Sequence, residues 1–358
     1  MTFPVQTYRA VIRGERRGPL AWLARAGLRV ASWPYGLAVR WRNRRYDRGR
    51  RPVHRAAVPV VSIGNLTLGG TGKTPCVEYV ARFYRDLGLQ VAILSRGYGA
   101  DAGPNDEALV LEQNLPDVPH LQGADRAVLA AAAVEELEAE LVVLDDGFQH
   151  RRLHRDLDIV LIDATSPPHR DALFPRGTLR EPVSSLRRAS AILLTRCDQV
   201  SEAELKAIRD WLSQRVPGVP IATSVHWPAC LGKIIPGEPG ETNSPRDLQG
   251  RMVGAFCGIG NPDSFRKTLQ GLGATIEAFR EFPDHHAYTR ADVEGLFKWA
   301  AELPADAWIV TTQKDQVKIR LPDLAGRELW AVEIGLQLKD GEAAIHEVLS
   351  RIAPRSDE

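Results

Sequence analysis

A strand-like run, Val58–Ile63, leads into Gly64-Asn65-Leu66-Thr67-Leu68-Gly69-Gly70-Thr71-Gly72-Lys73-Thr74-Pro75, and a helix-like segment follows. Residues of these types in this order can hold a nucleoside triphosphate. Gly69, Gly70, Thr71 and Gly72 let backbone N–H groups turn inward around phosphate oxygens. Lys73 brings charge to the terminal phosphates, Thr74 offers a hydroxyl to magnesium, and the helix N-terminus faces the anion. The strict pattern has Gly six residues before the Lys. Thr67 stands there instead, so the glycine pair at 69–70 is expected to make the tight turn.

A second element is Leu141-Val142-Val143-Leu144-Asp145-Asp146-Gly147-Phe148-Gln149-His150. An apolar strand ending in acid is what a phosphate loop needs on the neighbouring strand, to hold magnesium or its water. Adjacent carboxylates at a strand tip repel unless a cation or donor sits between them. An ordinary acidic turn explains one such Asp, and the pair points to metal. Asp106-Glu107 opens a helix-like run, where Asp106 serves equally as an N-cap. His285 and His286, in Phe282-Pro283-Asp284-His285-His286-Ala287-Tyr288, have no local feature that assigns them a role. Phosphoryl transfer needs a base for the acceptor hydroxyl, and a carboxylate oriented by a His would serve.

The elements that must position these residues alternate. Val58–Ile63, Val91–Leu94, Leu141–Leu144, Ile159–Ile162 and Ile192–Leu194 are short apolar strand candidates, with helical segments expected near 74–87, 124–139 and 201–214. Strands buried on both faces and joined through helices imply an α/β fold with a doubly wound, mostly parallel sheet, whose ligands bind beyond the strands' carboxyl ends. A second, smaller α/β series starts near 251, and the Pro- and Gly-rich stretch before it reads as a linker. The expected organisation is therefore an N-terminal segment 1–55, a P-loop domain 56–226, a linker 227–250 and a C-terminal domain 251–358.

The chain has 358 residues and a net charge of +1, but the charge is unevenly spread. Residues 1–55 hold fourteen Arg, no Lys and two acids, a net +12, which leaves −11 for the remainder. On a helical projection of 20–42, Leu20, Leu23, Val30, Leu37 and Trp41 share one side and Arg25, Arg29 and Arg40 the other, with a break expected at Pro34 and Gly36. A basic, Trp-bearing amphipathic helix suits an anionic membrane surface. The alternative is a helix packed on the P-loop domain with a solvated basic face. No aromatic-basic motif for nucleic acid accompanies the charge. The four cysteines, Cys76, Cys197, Cys230 and Cys257, are widely spaced and indicate neither a zinc site nor a disulfide framework. No apolar stretch approaches a spanning helix, and the N-terminus does not read as a secretory signal.

These motifs, together with Ser95-Arg96-Gly97-Tyr98-Gly99, Leu179-Arg180-Glu181-Pro182 and Thr311-Thr312-Gln313-Lys314-Asp315, resemble in order and over nearly the whole chain the tetraacyldisaccharide 4′-kinase family of lipid A synthesis. The resemblance implies ATP- and Mg2+-dependent phosphorylation of the 4′-hydroxyl of a tetraacyldisaccharide 1-phosphate to lipid IVA. The implied site is peripheral, at the cytoplasmic face of the inner membrane. It further implies that Lys73 binds the β- and γ-phosphates and that Thr74, Glu107, Asp145 and Asp146 hold magnesium directly or through water. Asp106 paired with His285 would be the base, and Arg180 would neutralise the transferring group. Arg96, Tyr98, Gln149 and His150 would line the nucleotide and acceptor pocket. Asn105 and Ala108 flank the acidic pair where the family commonly has Gly and Pro. Since Lys73 and Asp145 fall in the first expected domain and His285, the partner of the base, in the second, closure of the cleft between them is required. A nucleotide-switched membrane ATPase or GTPase is the competing reading. Such switches usually carry Lys before the glycine pair, where Leu68 stands.

Overall fold

The strand Val60–Asn65 is buried along its whole length, as are its two neighbours Leu141–Asp145 and Leu157–Asp163. Continuous Val, Ile and Leu make strands covered on both faces, which places them centrally in a parallel sheet. The order is Ile221–Lys233, Ala191–Thr195, Leu157–Asp163, Val60–Asn65, Leu141–Asp145, Val91–Ser95, with parallel pairing throughout this series. The winding reverses beside Val60–Asn65, where an open α/β sheet forms its ligand crevice. Ile63 pairs in register with Asp145. That acid therefore sits level with the point where the glycine-rich loop leaves the sheet.

The computed structural model describes residues 5–12, 14–97, 106–235 and 240–352. The chain divides into one unit of Met1–Arg96, Leu121–Val225 and Leu338–Glu358, and a second of Gly97–His120 and His226–Gln337. The expected boundaries differ from these: Gly97–His120, which carries Asp106 and Glu107, belongs to the second unit and not to the P-loop domain 56–226, and two further places differ. First, the segment after 338 is not part of a C-terminal domain. Its helix Glu342–Ser350 packs on the phosphate-loop helix Lys73–Asp86, where Tyr84 Oη donates to the Leu349 carbonyl at 2.9 Å and Tyr79 Oη lies 2.7 Å from His346 Nε2. Second, 227–250 is not a linker. Ile221–Lys233 runs through it and pairs antiparallel with Glu241–Asn243, and Leu231 and Leu248 are buried. Gly232 serves close packing, because a Cβ there would stand 2.1 Å from Glu333 Oε1.

The N-terminal helix Pro19–Asp47 is continuous through Pro34, so the expected break does not occur. Gly36 is a contact point rather than a breaker. It is buried, and a Cβ would meet Leu173 Cδ1 at 3.0 Å. Tyr35 packs edge-on against Phe174 at 5.5 Å. With Val39 and Asn43 also buried, packing holds the helix together past a proline that removes one of its hydrogen bonds. The opposite side is bare, with Leu20, Trp22, Leu23, Val30, Trp33, Leu37 and Trp41 all exposed.

In the second unit the sheet order is Thr275–Glu281, Met252–Cys257, Trp308–Thr312, Arg327–Asp340, again parallel. Phe256 and Trp330 are buried in its two cores. The helix Asp106–Asn114 packs on the short helix Gln313–Ile319.

Candidate active site

In the first unit the strand Val60–Asn65, just before the loop, carries a glycine with no space for a side chain. A Cβ on Gly64 would approach Phe148 Cβ to 2.6 Å, so the acid-bearing turn lies directly against the phosphate loop. Thr67, the departure from the strict motif, bridges to Leu179, and Leu68 N–H donates to the Thr178 carbonyl at 2.8 Å. The first half of the loop is thereby extended and braced. Turning falls to Gly69 (φ 111°) and Gly72 (φ 84°), conformations that favour glycine. Gly70 has no positive φ, yet open space surrounds it and Gly69, so the loop's backbone is accessible there. Thr71 and Thr74 are buried, and Thr74 lies in the first turn of the helix.

Asp146 is the electrostatic centre of this unit. Arg180 Nη1 donates to its Oδ2 at 2.6 Å, and Lys73 Nζ lies 3.7 Å from Oδ1. Burial raises its pKa, but Lys73 and Arg180 outweigh that and hold the carboxyl below the usual range. Its φ of 54° is a left-handed conformation rare outside glycine, the kind of local strain found where a side chain must be aimed. Asp145, buried, ends the strand beside it. Gln149 is fixed between the Asn65 carbonyl (2.9 Å) and Arg180 (3.4 Å). His150 is driven to a pKa of about 4 by burial and by Arg126, and so is neutral at pH 7. Arg96 follows the strand Val91–Ser95, exposed at its tip. Tyr98 lies outside the described residues.

The second unit holds the other acidic pair. Asp106 Oδ2 lies 3.0 Å from His285 Nδ1 and 3.2 Å from Lys318 Nζ. Burial raises the Asp106 pKa, but the bond to His285 and the charge of Lys318 win and bring it to about 2. His285 shifts the other way, raised chiefly by its bond to Asp106. The structure thus separates the two histidines. His286 stacks on Phe282 at 5.0 Å and meets Asp292 at 3.1 Å, an acid that also caps the helix Arg290–Ala301. Glu107 is 3.4 Å from Lys314 Nζ. Of the four expected magnesium ligands, Thr74, Asp145 and Asp146 share the first unit, and Glu107 is in the second. Among the described residues no group of three or more His, Cys, Asp or Glu is arranged as a metal cage.

The tetraacyldisaccharide-1-P 4′-kinase (LpxK) family pattern matches residues 24–353. The chain belongs to that family. A tetraacyldisaccharide 4′-kinase of Anaeromyxobacter dehalogenans is 41% identical over 355 residues, covering 94% of this chain and 93% of that one. One from Syntrophotalea carbinolica is 40% identical over 320 residues, covering 84% and 85%. The crystal structure of LpxK from Aquifex aeolicus in complex with ATP superposes with a TM-score of 0.75 at 30% identity, covering 92% of this chain and 99% of that one. Membership in the 4′-kinase family makes this chain a lipid kinase with a mostly parallel α/β fold.

Several contacts behind these residues carry no sequence signal of their own. Glu181, fully buried, accepts from Asn43 (2.7 Å), Arg42 (3.1 Å) and Arg188 (3.0 Å). Arg188 also stacks over the Phe148 ring at 4.2 Å. Next door, Tyr35 Oη donates to the Arg180 carbonyl at 2.8 Å, and Arg180 N–H donates to the Leu66 carbonyl at 2.7 Å. The bare-faced N-terminal helix is thus bonded to the segment that carries Arg180 and braces the phosphate loop. Arg126 is buried, with its charge near Asp145 and Asp146. The Arg180-Glu181 pair is a visible motif, but its partners on the N-terminal helix lie 138 and 139 positions away.

Proposed function

We propose that this chain transfers the γ-phosphoryl group of ATP to the 4′-hydroxyl of a tetraacyldisaccharide 1-phosphate, forming lipid IVA, while docked on the cytoplasmic face of the inner membrane. The observation that carries the reading is the pair of cations, Lys73 and Arg180, held on Asp146 at the mouth of a glycine loop. ATP brings phosphate oxygens that can replace the carboxylate as their partner. Lys73 takes the β- and γ-phosphates, and Arg180 meets charge spreading over the transferring group.

The donors fit magnesium, which keeps several waters and needs only one or two carboxylates. Asp146 Oδ1 is buried and makes no hydrogen bond, and so does Thr71 Oγ1 nearby in the loop. Thr74, Asp145 and Asp146 would hold the ion. When bound it neutralises charge on the β- and γ-oxygens.

Asp106 is the base. As the acceptor oxygen attacks phosphorus, its O–H bond breaks, the new O–P bond forms, and the bond to the ADP oxygen breaks. The released proton stays with the Asp106–His285 pair. The transition state is loose, so the proton is lost late and orientation matters more than a high pKa. In this reading Arg96, Gln149 and His150 contact the nucleotide or the acceptor.

The bare helix face supplies the membrane contact. Leu20 is 82% exposed and Trp33 70% exposed, a continuous apolar ridge flanked by arginines that suits the headgroup boundary. Among the described residues no helix is long and apolar enough to cross a membrane. The test is transfer of labelled γ-phosphate to the tetraacyl disaccharide in mixed micelles, with Leu37→Glu and Trp41→Glu assayed for binding to vesicles containing anionic lipid. Expected are 4′-phosphorylation and weakened vesicle binding in both variants. Phosphorylation of water-soluble sugars alone would remove the lipid reading.

A further inference from the structure

Lys318 belongs to none of the motifs and has no role in the reading above, yet it is one of two nitrogen partners on the reacting acid. It projects from the short helix Gln313–Ile319 and is nearly buried, its side chain 12% exposed. Two acids lie within its reach, Asp106 at 3.2 Å and Asp315 at 3.5 Å. Serving as counter-ion to buried Asp315 would be the ordinary explanation. Asp315, however, already has its donors: Tyr288 Oη at 3.0 Å on Oδ1, with Thr312 Oγ1 at 2.6 Å and the Gly258 N–H at 3.0 Å on Oδ2. A carboxylate so satisfied does not need the lysine. It can hold the lysine in place, one helical turn back on the same face.

The side on which Lys318 meets Asp106 is what matters. Lys318 Nζ and His285 Nδ1 converge on the same oxygen, Oδ2. Among the described residues no hydrogen bond is made to Oδ1. A carboxylate held through one oxygen by two nitrogen partners cannot rotate without breaking both contacts, so its second oxygen is presented in a fixed direction with its lone pairs available.

We infer that Lys318 is a positioning residue for phosphoryl transfer. Anchored by Asp315, it locks Oδ2 of Asp106 together with His285 and so aims Oδ1 at the acceptor hydroxyl. This rests on Asp106 being the base. It also gives Asp315, at the end of Thr311-Thr312-Gln313-Lys314-Asp315, a purpose that its full burial alone does not. Misplacement of a reacting group by about 1 Å can cost on the order of 10²-fold in rate, which sets the expected size of the effect.

The test is a double-mutant cycle in the full-length kinase with the lipid acceptor. Lys318→Met is expected to lower kcat by roughly 10²-fold, with the KM for ATP changed by less than about two-fold. Lys318→Arg, which keeps the charge, should recover part of the loss. The deciding readout is the Asp106→Asn background, where adding Lys318→Met should change the residual rate by less than about two-fold, because the group through which it acts is gone. An undiminished kcat in Lys318→Met overturns the inference, and so does an equal loss in both backgrounds, since a structural role would persist without the carboxylate. If Lys318→Met lacks a cooperative melting transition, Lys318→Gln, polar and of similar reach, replaces it in the same cycle. A wild-type rate in Asp106→Asn alone removes Asp106 as base, a failure distinct from that of Lys318.

Discussion

Asp146 and Asp106 are both aspartates held below the ordinary carboxylate range by two basic neighbours, and they differ in how those neighbours are arranged. Around Asp146 the cations divide, with Arg180 on Oδ2 and Lys73 nearer Oδ1. Around Asp106 the neighbours converge, with His285 and Lys318 both on Oδ2. An acid with a cation at each oxygen keeps two charges in place for an incoming anion. An acid gripped through one oxygen keeps the other for a proton. In the reading proposed, the same residue type thereby serves nucleotide binding in one unit and proton acceptance in the other.

The largest expected effect breaks the first arrangement. Arg180→Ala removes the charge proposed to meet the transferring group and should lower kcat on the order of 10³-fold, as arginines in this role do. Arg180→Lys should recover little, since an ammonium does not reproduce the guanidinium fork. Retention of kcat in Arg180→Ala would assign the arginine to structure. Lys73→Met should cost roughly 10²- to 10³-fold in transfer, accompanied by weaker ATP binding in calorimetry. The pairing with ATP affinity is the sharp part, because Asp106 variants should leave that affinity alone.

A smaller effect concerns what stands behind Arg180. Glu181→Ala strands the guanidinium of Arg188 beside Phe148 with its ion pair gone, and breaking a buried pair this way costs about 3–5 kcal/mol. A denaturant melt showing less than about 1 kcal/mol would mean that the Arg42, Asn43 and Arg188 contacts do little for stability.

How much of this was legible in the sequence follows from distance along the chain. The phosphate loop and its strand and helix are contiguous, so type and order sufficed to read them, and Leu141–Asp145 ended in its acids as its pattern required. The pairing of Asp106 with His285 spans 179 positions. No spacing rule reaches across that interval, so only family resemblance linked the two. Pro34 and Gly36 were misread for a physical reason. Breaker residues act on an isolated helix, whereas this one is bonded through Tyr35, Arg42 and Asn43 to the Arg180 segment. The stretch 227–250 misled in the same way, since glycine marks close approach of backbones as readily as it marks flexibility. Lys318 gave no signal, because its meaning lies in which oxygen it touches.

The smallest effect sharpens the second arrangement through pH. Asp106 titrates near pH 2 when folded against an ordinary value of about 3.9. The stability it contributes is complete above about pH 4 and is lost as pH falls through 2. His285 is raised, so its contribution is complete below its ordinary value of about 6.5 and is lost as pH rises through the folded value. The stability gap between the wild-type chain and His285→Ala, measured by denaturant melts across pH, should therefore be widest between about pH 4 and 6.5. A gap that does not change with pH would show that the pair contributes nothing through charge.

The division of labour between the two aspartates is tested most directly by single-turnover phosphoryl transfer to the tetraacyl disaccharide with Asp106→Asn saturated in ATP and magnesium. ATP should bind with wild-type affinity while the transfer step slows by about 10²- to 10⁴-fold. Transfer at the wild-type rate, or a loss of ATP affinity that accounts for the defect, would contradict it.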